Sequence, residues 1–208
     1  EALDQTTDPK TRWIGSCVMV ARSVCLDGAH RLDEALARLD GECTAQILPD
    51  GGHVSRSPSR LLYALLNLLT LREALQEADH HVPDYFDKWI PRMGAMLAFF
   101  QTEDGALNPF NDGDEGRPEA IEAALGRMAP PRRFTFAPKS GFQKLQKGPV
   151  RLVLDCGEAP PPPFGDFAHA GALGFELSDG PARLVTSCGY SAEVNVDWQA
   201  AVRRTGAH

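Results

Sequence analysis

Two stretches of this sequence hold side chains that could do chemistry. In Leu48-Pro-Asp-Gly-Gly-His-Val-Ser-Arg-Ser-Pro-Ser-Arg60, one histidine and two arginines, His53, Arg56 and Arg60, fall within eight residues. Serine and proline at Ser57–Ser59 mark a helix start, where free backbone N–H groups and the positive end of the helix dipole favour an anion. Arginines beside such a start would hold a carboxylate or sulfate, so the segment is an anion pocket in outline. The plainer reading is a surface turn with solvated arginines. The second stretch, Phe167-Ala-His-Ala-Gly-Ala-Leu-Gly-Phe-Glu-Leu177, sets His169 in a turn of small residues just ahead of a strand. A histidine there can move a proton near neutral pH, although a lone histidine in such a turn is more often structural.

The elements that position these residues change character along the chain. Apolar residues at helical spacing (Trp13, Cys17, Val20, Val24) predict a helix over 11–26 that stops at Asp27-Gly28. Leu32, Leu36, Leu39 and Cys43 predict a second over 31–47, packed antiparallel to the first. A leucine-rich helix over 61–78 is apolar around much of its girth and belongs in the core. Another begins near Asp84 and runs through Trp89 to Phe100, and a weaker one covers 118–128. The period then switches to strands, with hairpins at 142–147/150–155 and 173–177/182–186. Between them Pro160-Pro-Pro-Pro163 is a stiff extended connection. Helix hairpins followed by antiparallel strands predict an α+β arrangement and exclude a doubly wound sheet, with a helical part at 1–128 and a strand part at 129–208.

Composition narrows the function classes. The chain has 208 residues, 43% hydrophobic and 24% charged, with a net charge of −7, so it can fold, and a general nucleic-acid surface is not expected. The charge is uneven: residues 1–128 carry 12 Lys and Arg against 21 Asp and Glu, and residues 129–208 carry 9 against 7. No stretch is apolar enough to span a membrane. Five cysteines without CxxC spacing indicate neither a zinc knuckle nor a full disulfide framework, and most are expected to be buried thiols. The acidic run Asp112-Gly-Asp-Glu115 lacks calcium-loop spacing and is expected to be a solvated loop. There is no nucleotide-binding glycine loop, nucleophile elbow or His-Glu-x-x-His pair.

Ile47-Leu-Pro-Asp-Gly-Gly-His-Val-Ser-Arg-Ser-Pro-Ser59, His169-Ala-Gly-Ala-Leu-Gly-Phe-Glu-Leu177 and the terminal Thr205-Gly-Ala-His208 together resemble three motifs of the heparinase II/III family of polysaccharide lyases. The resemblance runs from about residue 30 to the end. It implies the C-terminal helices of an incomplete α/α toroid followed by the first antiparallel strands of a β-sandwich that is incomplete at the C-terminus. It also implies β-elimination on uronic-acid polysaccharides, which needs a neutralised carboxylate, a base for the C5 proton and an acid for the leaving oxygen, and no cofactor. The match departs from the family at its chemical positions. Arg60 and Leu61 stand where the family has Tyr and often His, Ser16 and Cys17 stand near the place of an Asn-His pair, and the sheet motif keeps His169 but lacks a first histidine and has Gly171 for Asp.

Two functional readings follow. In the first, a lyase, His53 or His169 shares the proton transfers with Tyr63, and Arg56, Arg60, Arg132, Arg133 and Lys139 meet the carboxylate or sulfate groups of an acidic polysaccharide. The resemblance adds a structural zinc on His169 and His208, with Cys188 able to supply a further ligand. In the second, a catalytically reduced relative binds an anionic glycan or cell-envelope polymer without cutting it. A structural or assembly module is the blander third. The resemblance points to the periplasm or cell envelope; the oligomeric state is not legible. Both chemical readings require the His53 segment and the turn bearing His169 to share a groove between the helical and sheet layers.

Overall fold

A computed structural model describes residues 6–27, 31–165, 168–169, 171, 173–189 and 195–203. Asp8 accepts N–H bonds from Lys10 and Thr11 and, with Pro9 in the first turn, starts α1 (Pro9–Arg22), which runs on into a π turn at Ser23–Asp27. α2 (Leu32–Gln46) buries Leu32, Leu36, Leu39 and Cys43, the face expected from their spacing. It lies antiparallel to α1, tied to it by Arg12–Glu42 at 3.0 Å and by the Gln46 amide on the Pro9 carbonyl at 3.0 Å. α3 (Pro58–Glu77) starts at the Ser57 cap with Pro58 behind it and buries nine residues, seven of them leucines. α4 (Asp84–Phe100) packs beside it and buries Trp89, Phe99 and Phe100 in the core. α5 (Pro118–Gly126) is held to α3 by Arg127, whose Nε bonds Glu73 at 2.7 Å.

The strands form one antiparallel five-stranded sheet in sequence order, β1 (Phe136–Ala137), β2 (Phe142–Lys147), β3 (Val150–Asp155), β4 (Phe175–Asp179) and β5 (Ala182–Val185). Gly148 and Gly180, both at positive φ, turn the β2–β3 and β4–β5 hairpins. β4 begins at Phe175 and not at Leu173, which is 71% exposed. The short β1 and a C-terminal α6 (Val196–Val202) carry too few residues to show a period. The helix-facing side of the sheet presents Ala137, Phe142, Val153 and Asp155, all buried. The other side carries the cross-strand row Leu145, Leu152, Leu177 and Val185, with Leu145 and Val185 exposed.

The apolar core passes without a break across the boundary at residues 128/129. Phe142 of β2 meets Phe100 at 4.8 Å and Phe110 at 5.2 Å, ring centre to ring centre, and belongs to one cluster with the helix leucines. Of the cysteines, Cys17 and Cys43 are buried while Cys25, Cys156 and Cys188 are exposed, which corrects the expectation that most are buried. Desolvation raises the Cys17 thiol to about 12.

Polar links close the same junction. Asp50 accepts the Lys139 and Ser140 amides at 2.8 and 2.7 Å and the Ser140 hydroxyl at 2.7 Å. Arg151 of β3 donates to the carbonyls of Phe99 and Gln101, where α4 ends and its dipole is negative. Arg183 of β5 reaches Asp104 at 2.9 Å and Glu115 at 2.8 Å. Deepest is Arg56, which pairs with Asp155 at the end of β3, both about 8% exposed or less. Breaking a buried pair strands one charge in a low-dielectric site, whereas breaking an exposed pair does not. Asp155→Ala is therefore expected to cost ~3–5 kcal/mol in urea unfolding, and Glu73→Ala, at the exposed Arg127 pair, under ~1 kcal/mol. Equal costs would remove the special place given to Arg56.

Candidate functional site

The segment that joins α2 to α3 is a tight turn. Leu48 N–H bonds the Gly52 carbonyl at 2.7 Å, and Ile47 and His53 form an isolated antiparallel bridge. Gly51 has φ +92 with its α-carbon against the Arg92 backbone, so a side chain there would both strain and collide. His53 is 7% exposed. Its Nδ1 accepts from the Ser55 amide at 3.1 Å and lies 2.7 Å from the Ser55 hydroxyl, which leaves the proton of the neutral ring on Nε2. Burial, and secondarily the charge of Arg60, push the ring down to about 3. A ring that resists protonation to that degree is a poor base for a C5 proton, so His53 is corrected from proton carrier to buried structural histidine.

The arginines are engaged internally. Arg56 adopts φ +61, an uncommon conformation for a residue with a side chain, which turns its guanidinium inward. Nε donates to the Ser140 carbonyl at 2.8 Å, Nη1 to the Glu158 carbonyl at 2.6 Å and Nη2 to Asp155, and the group lies 4.8 Å over the Phe142 ring. Gly141 and Gly157 are close enough to it that a Cβ on either would press on the guanidinium. Asp155 also accepts from Asn111 at 3.0 Å and from the Gly157 amide at 3.2 Å. Arg60 donates twice to Asp112, at 2.9 and 2.6 Å, and Ser59 bonds Asp114 at 2.8 Å. The acidic run 112–115 is thus only partly solvated: Asp114 and Glu115 are exposed, while Asp112 lies on Arg60, a residue expected to hold a foreign anion. Arg56 and Arg60 are corrected accordingly; the carboxylates they hold are the protein's own.

The remaining expected residues are scattered. Tyr63, three residues beyond Arg60 on α3, is 73% exposed on a helix that otherwise buries nine residues. Arg132, Arg133 and Lys139 are exposed on the stretch leading into β2. His169 is half-buried. The connection ahead of it does fold over the first segment: Phe164 packs edge-on to His53 at 6.1 Å, and Ala168 N–H bonds the Gly165 carbonyl at 3.1 Å. The Phe164 ring thus lies beside His53, and Arg56 of the same segment holds the Glu158 carbonyl. A cavity of about 420 Å³ lies elsewhere, between α2 and the start of α4, lined by Asp33, Asp40, His80, His81 and Tyr85 among others.

For zinc, His208 lies outside the described residues, and among the described residues no three His, Cys, Asp or Glu side chains converge as ligands would. His169 and Cys188 alone do not make such a site.

Residues 129–208 match the family described as Heparinase II/III-like, C-terminal. Likeness of fold extends further: a crystal structure of heparinase III superposes with a TM-score of 0.76 at 12% identity, covering 97% of this chain and 38% of that one. The heparan sulfate lyase HepC from Pedobacter heparinus superposes at 0.69 with 17% identity, over 97% of this chain and 37% of that one. FtsZ-localized protein C of Caulobacter vibrioides is 35% identical over 182 residues, 87% of this chain and 31% of that protein. The chain therefore spans about a third of the length of the relatives it matches. The heparinase II/III-like fold accounts for helices followed by an antiparallel sheet, and likeness of fold carries no chemistry with it.

Sequence reasoning missed Asp155, Asn111 and Asp112 as partners of the arginines. The one local sign was a strand ending in Asp155-Cys-Gly157, an acidic residue followed by a glycine that leaves room for a bulky group. His53 yields a pH prediction. Its folded value lies below the unfolded 6.5, so the unfolded chain binds the proton first and stability declines as pH falls from 6.5 towards about 3. In a pH series of thermal unfolding, His53→Gln should flatten that decline, and an NMR titration should show the His53 ring silent above pH 5.

Proposed function

We propose that this chain is the non-cleaving reading of the heparinase II/III-like fold: a module that binds an anionic polymer of the cell envelope as part of a division-associated protein. The observation that carries it is the occupation of Arg56 and Arg60 by Asp155 and Asp112. A uronate carboxylate could displace those partners only by leaving buried carboxylates without counter-charges, at a cost of several kcal/mol. The proton-transfer set is also dispersed, with His53 resistant to protonation and Tyr63 facing solvent. Arg132, Arg133 and Lys139 are exposed and remain the candidates to meet polymer anions, which would be bound at the surface and in a salt-sensitive way.

The likeness to FtsZ-localized protein C supports a place at the division site. No helix among the described residues is long and apolar enough to cross a membrane.

The deciding experiment uses the full-length protein. Elimination produces an unsaturated uronate absorbing near ~232 nm, as general acid–base elimination requires. No rise is expected on heparan, chondroitin, hyaluronan or alginate, together with saturable binding of an anionic polymer that weakens in Arg132→Ala/Lys139→Ala. A rise that His169→Ala abolishes would overturn this reading in favour of a lyase. A fluorescent fusion should gather at the division plane, and uniform fluorescence would remove the division role.

A further inference from the structure

Most arginines of the helix–sheet junction carry their own anions, but one group of cations on the helix-facing side of the sheet does not. Lys144 of β2 and Arg151 of β3 share that face, their neighbours across the ladder being Val153 and Gln146. The Lys144 ammonium lies 4.2 Å from the centre of the Phe99 ring at the end of α4. Phe134 stacks on the same ring at 5.2 Å, and Lys144 N–H bonds the Thr135 carbonyl at 2.7 Å. Those two contacts fix the stretch bearing Arg132 and Arg133 alongside β2, with both arginine side chains exposed.

Arg151 is 8% exposed, and its terminal nitrogens are held by the Phe99 and Gln101 carbonyls and by Asn108. Its Nε–H is buried and has no acceptor, an arrangement that costs free energy unless something completes it. No carboxylate among the described residues pairs with Lys144 or Arg133. The charges that act on Lys144 are Arg151 and Arg133, both positive; Glu103 acts on Arg151. Burial first, then those two arginines, lower the Lys144 amine to about 7.

We propose that Lys144, Arg133 and Arg151 form a binding site for a tetrahedral oxyanion, a sulfate or phosphate group, at the seam between α4 and the sheet. Lysine supplies a point charge with rotatable donors, Arg133 a planar fork from the solvent side, and Arg151 a fixed cation behind them. An oxyanion neutralises Lys144 and Arg133, which no carboxylate among the described residues pairs. The anion can come free from solution or as a group carried on a polymer. The second source rests on the reading proposed above, while the oxyanion chemistry does not.

The test measures acetylation of Lys144 in the full-length protein at neutral pH by peptide mass spectrometry, where a partly neutral amine reacts faster than solvated lysines. Inorganic sulfate or phosphate should slow that reaction saturably, and chloride at matched ionic strength should not. Arg133→Gln should raise the half-protecting sulfate concentration about tenfold, the loss of one charge-assisted contact. Lys10→Gln, exposed on α1, should leave it unchanged. Acetylation unaffected by either oxyanion, or protection equal in Arg133→Gln, overturns the site. Protection by inorganic anions with none by heparin supports the site and overturns a polymer as its source.

Discussion

A buried ion pair between Arg56 and Asp155 governs how the two halves of this protein meet. Each of its members is expensive to desolvate alone, so the pair forms only when the turn before α3 and the end of β3 arrive together. Their neighbours are then dictated. Ser140 and Glu158 must turn their carbonyls towards the guanidinium, Phe142 must lie beneath it, and positions 141 and 157 cannot carry side chains. The aromatic cluster around Phe100, Phe110 and Phe142 contributes the bulk of apolar burial at this junction, and the polar links orient it.

The same constraint shapes function. A helix start flanked by arginines is a good anion trap in isolation, and a lyase of acidic sugars needs such a trap. Here the protein has closed it with carboxylates from a loop and a strand. Glycine at 141 and 157, the left-handed Arg56 and the buried, weakly basic His53 are consistent with a junction organised for rigidity. Free positive charge is displaced to the rim, at Arg132, Arg133 and Lys139, and to the cation group around Lys144. Under the function proposed above, this surface holds an anion and does not cut a glycosidic bond, which would demand an acid and a base at fixed separation.

Shared architecture with heparinases thus coexists with a different local chemistry. The toroid-like helices and the meander sheet persist at 12–17% identity with solved lyases, because layer packing tolerates any apolar residue of suitable volume. The site does not enjoy that tolerance. Arg60, at the start of α3, meets Asp112 of the same chain.

Much of this was written in local pattern. Apolar spacing placed the four longer helices and both main hairpins to within a few residues, because burial of one face imposes a period that neighbouring residues alone reveal. The same reading found the capped turn at Ser57-Pro58 and the change from helices to strands near residue 129. What it could not reach was which anion each arginine meets. Asp155 lies 99 residues from Arg56 and Asp112 lies 52 from Arg60, so no spacing rule connects them. Burial decided the rest: His53, Tyr63 and Lys144 are ordinary letters in the sequence, and only the packing around each determined that the first would resist a proton, the second would face water and the third would lie among like charges.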